Sequence, residues 1–224
     1  MNSNIWLLTF ADSISIATTL ILASLGAMIT ERSGVINLGV EGMLLMGAVS
    51  GFVVAETTGN LWLALLVGIF VGIALSAVHA GLTVGLRANQ IVSGLAMVIF
   101  GSGLAQFIGK PYEGNLRPVV IERLDLGWFT DLPLIGPVIF GHDIFTYATW
   151  AIAAGASFYL HRTRPGLILR ATGDAPATVD AQGGSVARIR WVHTIAGGAL
   201  MGFAGAWFMF ARATAWNANA TTNG

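Results

Sequence analysis

One stretch of this chain concentrates the side chains that could do chemistry. Residues 163–184 read TRPGLILRATGDAPATVDAQGG, a polar segment bordered by arginines that stands between two strongly apolar stretches. Cysteine is absent, and each of the four histidines is isolated from any carboxylate-and-histidine pattern typical of a metal site. No Ser, His and Asp arrangement can be ordered from the sequence. We therefore predict no catalytic residue, no metal and no other cofactor, and interpret the polar segment as a docking site.

A carboxylate inside an apolar stretch is a second candidate. Glu41 lies about two turns inside the predicted second span, and Asn37 lies one turn before it on the same predicted helix face. A charge at the centre of a span costs about 2.5 to 3.5 kcal/mol on insertion scales, so this group should face protein or water. Glu41 either lines or gates a path, or is a structural anchor bonded to a neighbouring helix end through Asn37, Ser33 or Arg32.

Three further polar residues begin a later apolar stretch: Asn89, Gln90 and Ser93. Amide and hydroxyl groups of this kind could hydrogen-bond a ribose or a base, and they could equally hold helices together. With Asn37 and Glu41 they complete the candidate residues of a translocation path or gate.

The composition indicates that membrane helices position these residues. The chain is 55% hydrophobic and 10% charged, with a mean hydropathy of +0.74, against roughly 25% charged residues in soluble domains. Six stretches could each cross roughly 30 Å of hydrocarbon; they lie at about 11–30, 35–55, 61–83, 90–109, 140–160 and 191–211. They lack the period-two alternation of barrel strands. We predict an all-α, polytopic transmembrane helical bundle. Its net charge of zero gives no reason to expect nucleic acid.

Basic residues predict the orientation of these spans. If the segment 161–190 is cytoplasmic, alternation of the spans places seven arginines on that side: Arg32, Arg87, Arg162, Arg164, Arg170, Arg188 and Arg190. Four basic residues remain outside: Lys110, Arg117, Arg123 and Arg212. This distribution follows the positive-inside bias. It predicts an outer loop over about 110–139.

Within the polar segment, local chemistry predicts two short helices along the membrane face. Asp174 is a good N-cap, Pro176 suits a first turn, and Gly183 can end a helix in the left-handed conformation. Ser185 can cap the helix that leads into the last span. A helix of some eight residues is marginal in water, so it must rest on a partner or on its own membrane domain.

Three sequence blocks carry a family resemblance. RTRPG at 162–166, LRATGDAP at 169–176, Gly183 or Gly184, and Arg188 together resemble the cytoplasmic coupling loop of ABC importer permeases of the branched-chain amino acid, ribose and nucleoside class. The block TERSGVINLGVEGM at 30–43 looks like a signature of the nucleoside-type and simple-sugar-type branch. The block RANQIVSGLA at 87–96 is similar to the start of that family's fourth span.

The resemblance implies a multi-pass permease subunit in a bacterial-type inner membrane, moving nucleosides or simple sugars inward. Its implied partners are cytosolic ABC ATPase subunits, a second permease subunit in a homo- or heterodimer, and an extracytoplasmic substrate-binding protein. The chain lacks a G-x-x-x-x-G-K-[ST] motif, so we expect a non-enzymatic subunit whose partner hydrolyses ATP. The helix at 174–182 is expected to insert into the ATPase, and the implied coupling residues are Arg170, Gly173, Asp174, Pro176, Asp180, Gly183 and Arg188.

The chain departs from the family near its C-terminus, where related permeases typically continue for two or more spans. We expect a transmembrane permease domain over 1–212, a polar tail over 213–224, and a copy that is truncated. Two alternatives stay open: a non-transporting truncated membrane fragment, and an ion-coupled secondary transporter, for which Glu41 has no evident counterpart in the second half. The resemblance favours nucleosides, with simple sugars second, as the cargo, and the sequence does not identify which of them passes.

Overall fold

All regular structure in the computed structural model is helical over the residues it describes, which are 2–124, 127–130 and 136–217. Eight α-helices follow one another: α1 Asn2–Arg32, α2 Val40–Thr58, α3 Leu61–Ala80, α4 Gln90–Gly109, α5 Ile144–Arg162, α6 Arg164–Asp174, α7 Pro176–Ala181 and α8 Val186–Ala211. A π-helical turn, Gly81–Gly85, extends α3. This arrangement confirms the predicted all-α bundle.

Six of these helices match the six predicted spans in order. Five of them, α1 to α4 and α8, are long and apolar enough to cross a membrane. The remaining one, α5, is as long as α2, with 19 residues, but is not apolar enough to be counted with these five. Asp143, the residue before α5, lines a cavity together with Arg212. The last turn of α5 lines a different cavity together with Arg32. Helix α5 therefore runs between the same two ends of the bundle as α1 and α8.

The predicted start of the second span is wrong. Residues 35–39 are not helical, and helix α2 begins at Val40. Gly34 has a φ of +85°, a conformation that ends α1 and favours glycine. The Asn37 side chain then accepts a hydrogen bond from the Gly39 amide at 2.9 Å, which stabilises a turn in competition with helix.

Helix α8 forms the centre of the bundle, packed against α1, α2 and α3. Glycines allow this close approach: a Cβ on Gly72 would overlap the Gly198 carbonyl, and one on Gly202 would overlap the Gly68 carbonyl. Small residues at such crossings allow van der Waals packing where lipid provides no hydrophobic drive. The largest buried side chains nearby include Trp207, Phe52 and Phe210.

The bundle has two charged ends. The arginine-rich end contains Arg32, Arg87, Arg162, Arg164, Arg170, Arg188 and Arg190, in the polar segment and at the neighbouring helix ends. The opposite end contains Lys110, Arg117, Arg123 and Arg212. There Asp12 pairs with Arg123 at 2.9 Å and with Arg212 at 3.5 Å. The grouping matches the partition predicted from the sequence, and the sidedness of the membrane stays a prediction.

The segment after α8 folds back onto the opposite end. Trp216 is buried, covers Gly109, and exchanges backbone hydrogen bonds with Gly114 and Asn115 at 3.0 and 2.9 Å. Residues 213–217 of the predicted polar tail thus pack against the predicted outer loop. Residues 218–224 of that tail, and residues 125–126 and 131–135 of that loop, lie outside the described part of the chain.

Candidate functional site

The extended segment Ser33–Gly39 lies at the centre of the candidate site. It enters the bundle alongside α4, where Gly94 packs against Leu38 and Gly39 packs against Met97. Met97 lies seven residues into α4, which corresponds to about 10 Å along the helix. Non-helical backbone at membrane depth is tolerated where it is buried in protein or lines a water-filled cavity. The segment therefore needs partners for its backbone groups, and three side chains provide them.

Gln90 is the first of these partners. Its Oε1 accepts a hydrogen bond from the Ile36 amide at 2.7 Å, and its Nε2 donates to the Gly34 carbonyl at 3.4 Å. Asn89, the residue before it, caps α4 by accepting hydrogen bonds from the amides of Ile91 and Val92. Both predicted path residues thus hold backbone in place. Gln90 fixes the extended segment, and Asn89 fixes the start of the helix beside it.

His79 is the second partner, and it is not among the site residues predicted from the sequence. One ring nitrogen, Nε2, lies 3.1 Å from the Ile36 carbonyl, and the other, Nδ1, lies 3.1 Å from the Ser93 hydroxyl. The imidazole is fully buried. Ser93, a predicted path residue, therefore orients a histidine that in turn holds the extended segment. A partner that is backbone, 43 residues away in the chain, leaves no local sequence pattern.

Arg190 is the third partner, and it joins the extended segment to the polar segment. Its Nε donates to the Ser33 carbonyl at 3.1 Å. Close by, Gly173 of α6 packs against the Arg32 carbonyl and the Gly34 amide. A side chain at Gly173 would separate these two segments, which accounts for glycine at this predicted coupling position. The contact was not predicted, because arginine counts alone do not specify a backbone acceptor.

The predicted pair of Asn37 and Glu41 does not form. Asn37 is buried outside the helix, with its amide nitrogen 3.8 Å from the sulfur of Met43 and 3.9 Å from that of Met201. Glu41 lies in the first turn of α2 and is half-buried. Among the described residues, no hydrogen bond or ion pair reaches its carboxylate. The local anchoring of Glu41 by Asn37, Ser33 or Arg32 that the sequence suggested does not form within this part of the chain, and a role of Glu41 in a path or gate stays a prediction.

Helices α6 and α7 form the two predicted short helices of the polar segment. Thr163 caps α6 by accepting from the Gly166 amide at 3.1 Å, and Gly166 packs against Tyr159 of α5. The prediction that Asp174 caps the second helix is wrong. Asp174 is the last residue of α6, and the cap residue of α7 is Ala175, which makes no side-chain hydrogen bond.

The remaining local predictions for α7 and α8 are confirmed. Pro176 occupies the first turn of α7, and Gly183 ends that region with a φ of +80°. The Gly184 amide donates to the Val179 carbonyl at 2.9 Å, which closes the turn. Ser185 caps α8 by accepting from the Arg188 amide at 3.4 Å.

One face of α7 is exposed, as a docking helix requires. Val179 is buried beneath the helix, whereas Thr178 and Asp180 are exposed. Asp174 and Arg188 are also exposed. Arg170 differs from the other predicted coupling residues: its Nε is buried, and the side chain lines a cavity between α1, α5 and α6. The structure therefore turns Arg170 toward the bundle.

The two groups of predicted site residues meet at the arginine-rich end. A cavity of about 630 Å³ lies between the end of the π-helical turn, α4, α7 and α8. Gln90 of the path candidates contributes to its wall, as do Pro176 and Asp180 of the coupling candidates, together with Arg87 and Arg190. Gln90 and Arg190, which both bond to the extended segment, thus share a cavity wall with residues of α7.

Six helices running between two charged ends, five of them long and apolar enough to cross a membrane, define a multi-pass membrane protein. The chain belongs to the family described as the permease component of the branched-chain amino acid transport system, whose sequence model matches residues 9–223. Membership in this family and its apolar helices place the chain in the inner (plasma) membrane.

Three relatives are named as ABC transporter permeases. The chain is 39% identical over 207 residues to the "Putative glucose ABC transporter permease protein" of Haloferax volcanii, covering 91% of this chain and 63% of the relative. It is 31% identical to a nucleoside permease protein of Lactococcus lactis, over 95% of this chain and 69% of the relative. It is 31% identical to a guanosine permease protein of Bacillus subtilis, over 84% and 63%. The chain thus spans about two thirds of the length of these relatives. No solved structure matches it.

Proposed function

We propose that this chain is the membrane-spanning subunit of an ATP-driven importer for nucleosides or simple sugars. Family membership and relatives named for glucose, nucleosides and guanosine support the proposal. The observation that carries it is the exposed short helix α7, whose neighbours in the chain, α6 and α8, contact the extended segment through Gly173 and Arg190. In this proposal a separate cytosolic ATPase hydrolyses ATP, and an extracytoplasmic binding protein delivers the solute to paired permease subunits.

The contacts suggest how force would pass from the ATPase to the path. An ATPase that grips α7 displaces the polar segment as a rigid body. Because Arg190 holds the Ser33 carbonyl and Gly173 rests on the Arg32 carbonyl, this displacement pulls on the extended segment. That segment leads directly into Glu41. In this proposal, coupling depends on these two contacts, each of them with one backbone carbonyl.

The docking step can be tested on the exposed face of α7. Thr178→Arg combined with Asp180→Arg adds bulk and positive charge where the ATPase would bind, without touching the buried Val179. The chain is co-expressed with a candidate ATPase and binding protein, and ATPase co-purification and ATP-dependent nucleoside or glucose uptake into liposomes are measured. We expect the variant to lose at least about tenfold of both, since an unpaired charge at the centre of an interface typically costs several kcal/mol.

Thr58→Arg is the control, because Thr58 is also an exposed threonine but is the last residue of α2 and not part of α7. It should leave ATPase co-purification unchanged. Equal retention of the ATPase by the α7 variant and the control, with both chains folded, would rule out α7 as the docking helix.

A further inference from the structure

A cavity with three basic residues in its wall lies between α1, α5 and α6. Its volume is about 190 Å³, many times the roughly 10–15 Å³ that one water molecule needs. Three basic side chains contribute to its wall: Arg32, His161 and Arg170. None of its eight lining residues in the described chain is acidic. The cavity is therefore suited to an anion.

Arg170 lies in the wall of this cavity, and its guanidinium has no hydrogen-bond partner among the described residues. Its Nε atom is buried and has no hydrogen-bond partner within the described structure. A buried donor without a partner is costly, and for a charged group the cost is larger still. The Nδ1 of His161 donates to the Ser157 carbonyl at 2.9 Å, which orients the ring in the cavity wall. Because the Nε atom is enclosed, a bound phosphodiester group would accept hydrogen bonds from the terminal nitrogens of the Arg170 guanidinium, and Arg32 would add a second positive charge beside it.

The cavity continues into an apolar groove along α1. Leu25 and Met28 line both the basic cavity and a second cavity of about 420 Å³, whose other walls are Ala17, Leu20, Ile21 and Ser24. Leu20 is 62% exposed, so no other described part of the chain covers the Leu20 side chain on this face of α1. The groove runs from the arginine-rich end toward the membrane centre, which is the direction of an acyl chain whose head group sits among the arginines.

We infer that the surface formed by α1, α5 and α6 binds one anionic phospholipid, with its phosphate at Arg170 and Arg32 and an acyl chain along Leu20 and Leu25. Basic pockets between spans at the cytoplasmic face are typical sites for such head groups. Because Arg170 belongs to α6, which carries α7 at its C-terminal side, the lipid would also fix the position of the docking helix. This inference concerns the chain itself and does not depend on transport activity.

Native mass spectrometry of the purified full chain tests the inference. Equal amounts of phosphatidylglycerol and phosphatidylcholine with identical acyl chains are added, and the retained lipid is counted. We expect one tightly retained phosphatidylglycerol. Arg170→Gln and Arg32→Gln should each weaken its retention about fivefold, the ordinary contribution of one basic side chain to anionic-lipid binding. Arg164→Gln is the control, because Arg164 is exposed at the start of the same helix and does not line the cavity.

A second variant tests the groove without changing any arginine, in case the arginine variants fold poorly. Ser24→Trp fills the groove from its exposed side and should reduce phosphatidylglycerol retention while all arginines remain. Equal retention of both lipids, an equal loss in the Arg164→Gln control, or displacement of the lipid by millimolar inorganic phosphate alone would overturn it. So would the finding that a second permease subunit covers Ser24, shown by a cross-link from a cysteine placed there.

Discussion

Glu41 lies in a predicted span without the bonded partners that a structural anchor would have among the described residues. It is half-buried in the first turn of α2, and no hydrogen bond or ion pair reaches it from the described residues. Glu41→Gln keeps the shape and removes the charge. In the reconstituted complex we expect uptake to fall at least about tenfold, as for an intramembrane charge that faces the solute path, with the unfolding temperature of the chain unchanged.

Glu56→Gln is the matched control for this prediction. Glu56 lies on the same helix, exposed near its far end, so its substitution should leave uptake unchanged. Undiminished uptake by the Glu41 variant would show that its charge has no role in transport.

Asp143 is a residue that sequence reasoning did not select and that stabilises the opposite end. It is 5% exposed and accepts hydrogen bonds from the amides of Phe145 and Thr146, the Thr146 hydroxyl and the Trp207 indole at 2.8 to 3.1 Å. Asp143→Ala removes the cap of α5, worth about 1 kcal/mol, and leaves the buried Trp207 donor unpaired, at a further 1 to 3 kcal/mol or so. We expect a clear fall in the unfolding temperature in detergent.

The comparison variant for this experiment is Asn60→Ala. Asn60 caps α3 with one hydrogen bond, to the Leu63 amide at 3.1 Å, at an exposed position. Its loss should cost about 1 kcal/mol. Equal shifts for the two variants would mean that Trp207 does not depend on Asp143.

At the level of helices, the sequence predicted what local chemistry decides and missed what packing decides. Pro176, Gly183 and Ser185 act as predicted because each effect depends on its own few neighbours. Asp174 does not begin a helix, because α6 continues to it with Leu169 and Thr172 buried on the bundle. The choice between these two boundaries depends on α1 and α5, which no local pattern describes.

The start of α2 shows the same limit for the candidate site. Helical periodicity placed Asn37 and Glu41 on one face, whereas the chain stays non-helical up to Gly39. Gln90 and His79 stabilise this non-helical form by hydrogen bonds to Ile36. In the chain they lie 54 and 43 residues after Ile36. The polar path candidates could be selected from the sequence, but their arrangement around Ile36 could not.

Two glycines in different elements should respond to alanine in opposite directions. Gly183, after α7, has a φ of +80°, where a side chain costs about 1 kcal/mol even though nothing crowds the site. Gly155 lies inside α5 with open space around its Cα, and alanine there should add about 0.5 to 1 kcal/mol. Thermal unfolding in detergent should therefore show Gly183→Ala below wild type and Gly155→Ala above it. Shifts of the same sign would contradict the assignment of Gly183 as the turn that ends α7.

Across the molecule, α8 packs at the centre of the bundle, between the two charged ends. Glycines on α8, α2 and α3 bring the backbones into contact, so motion at the start of α8 is transmitted without soft side chains in between. The arginine-rich end carries α7 and the extended segment, and the opposite end is tied by Asp12 and Trp216. An importer driven from the cytosol requires the arginine-rich end to face the cytosol.

That orientation can be measured directly, because the chain has no cysteine of its own. Asp180→Cys places a single thiol on the exposed face of α7, and Glu113→Cys places one at an exposed position of the opposite end. With a membrane-impermeant maleimide applied to intact cells, we expect Glu113→Cys to be labelled and Asp180→Cys to be protected, as the positive-inside bias predicts for the end that holds seven of the eleven basic residues. Both thiols should react equally once the membrane is permeabilised, which controls for burial. Labelling of Asp180→Cys in intact cells would reverse the orientation, and because an ATPase could then not reach α7, it would also remove the physical basis for ATP-driven import through this helix.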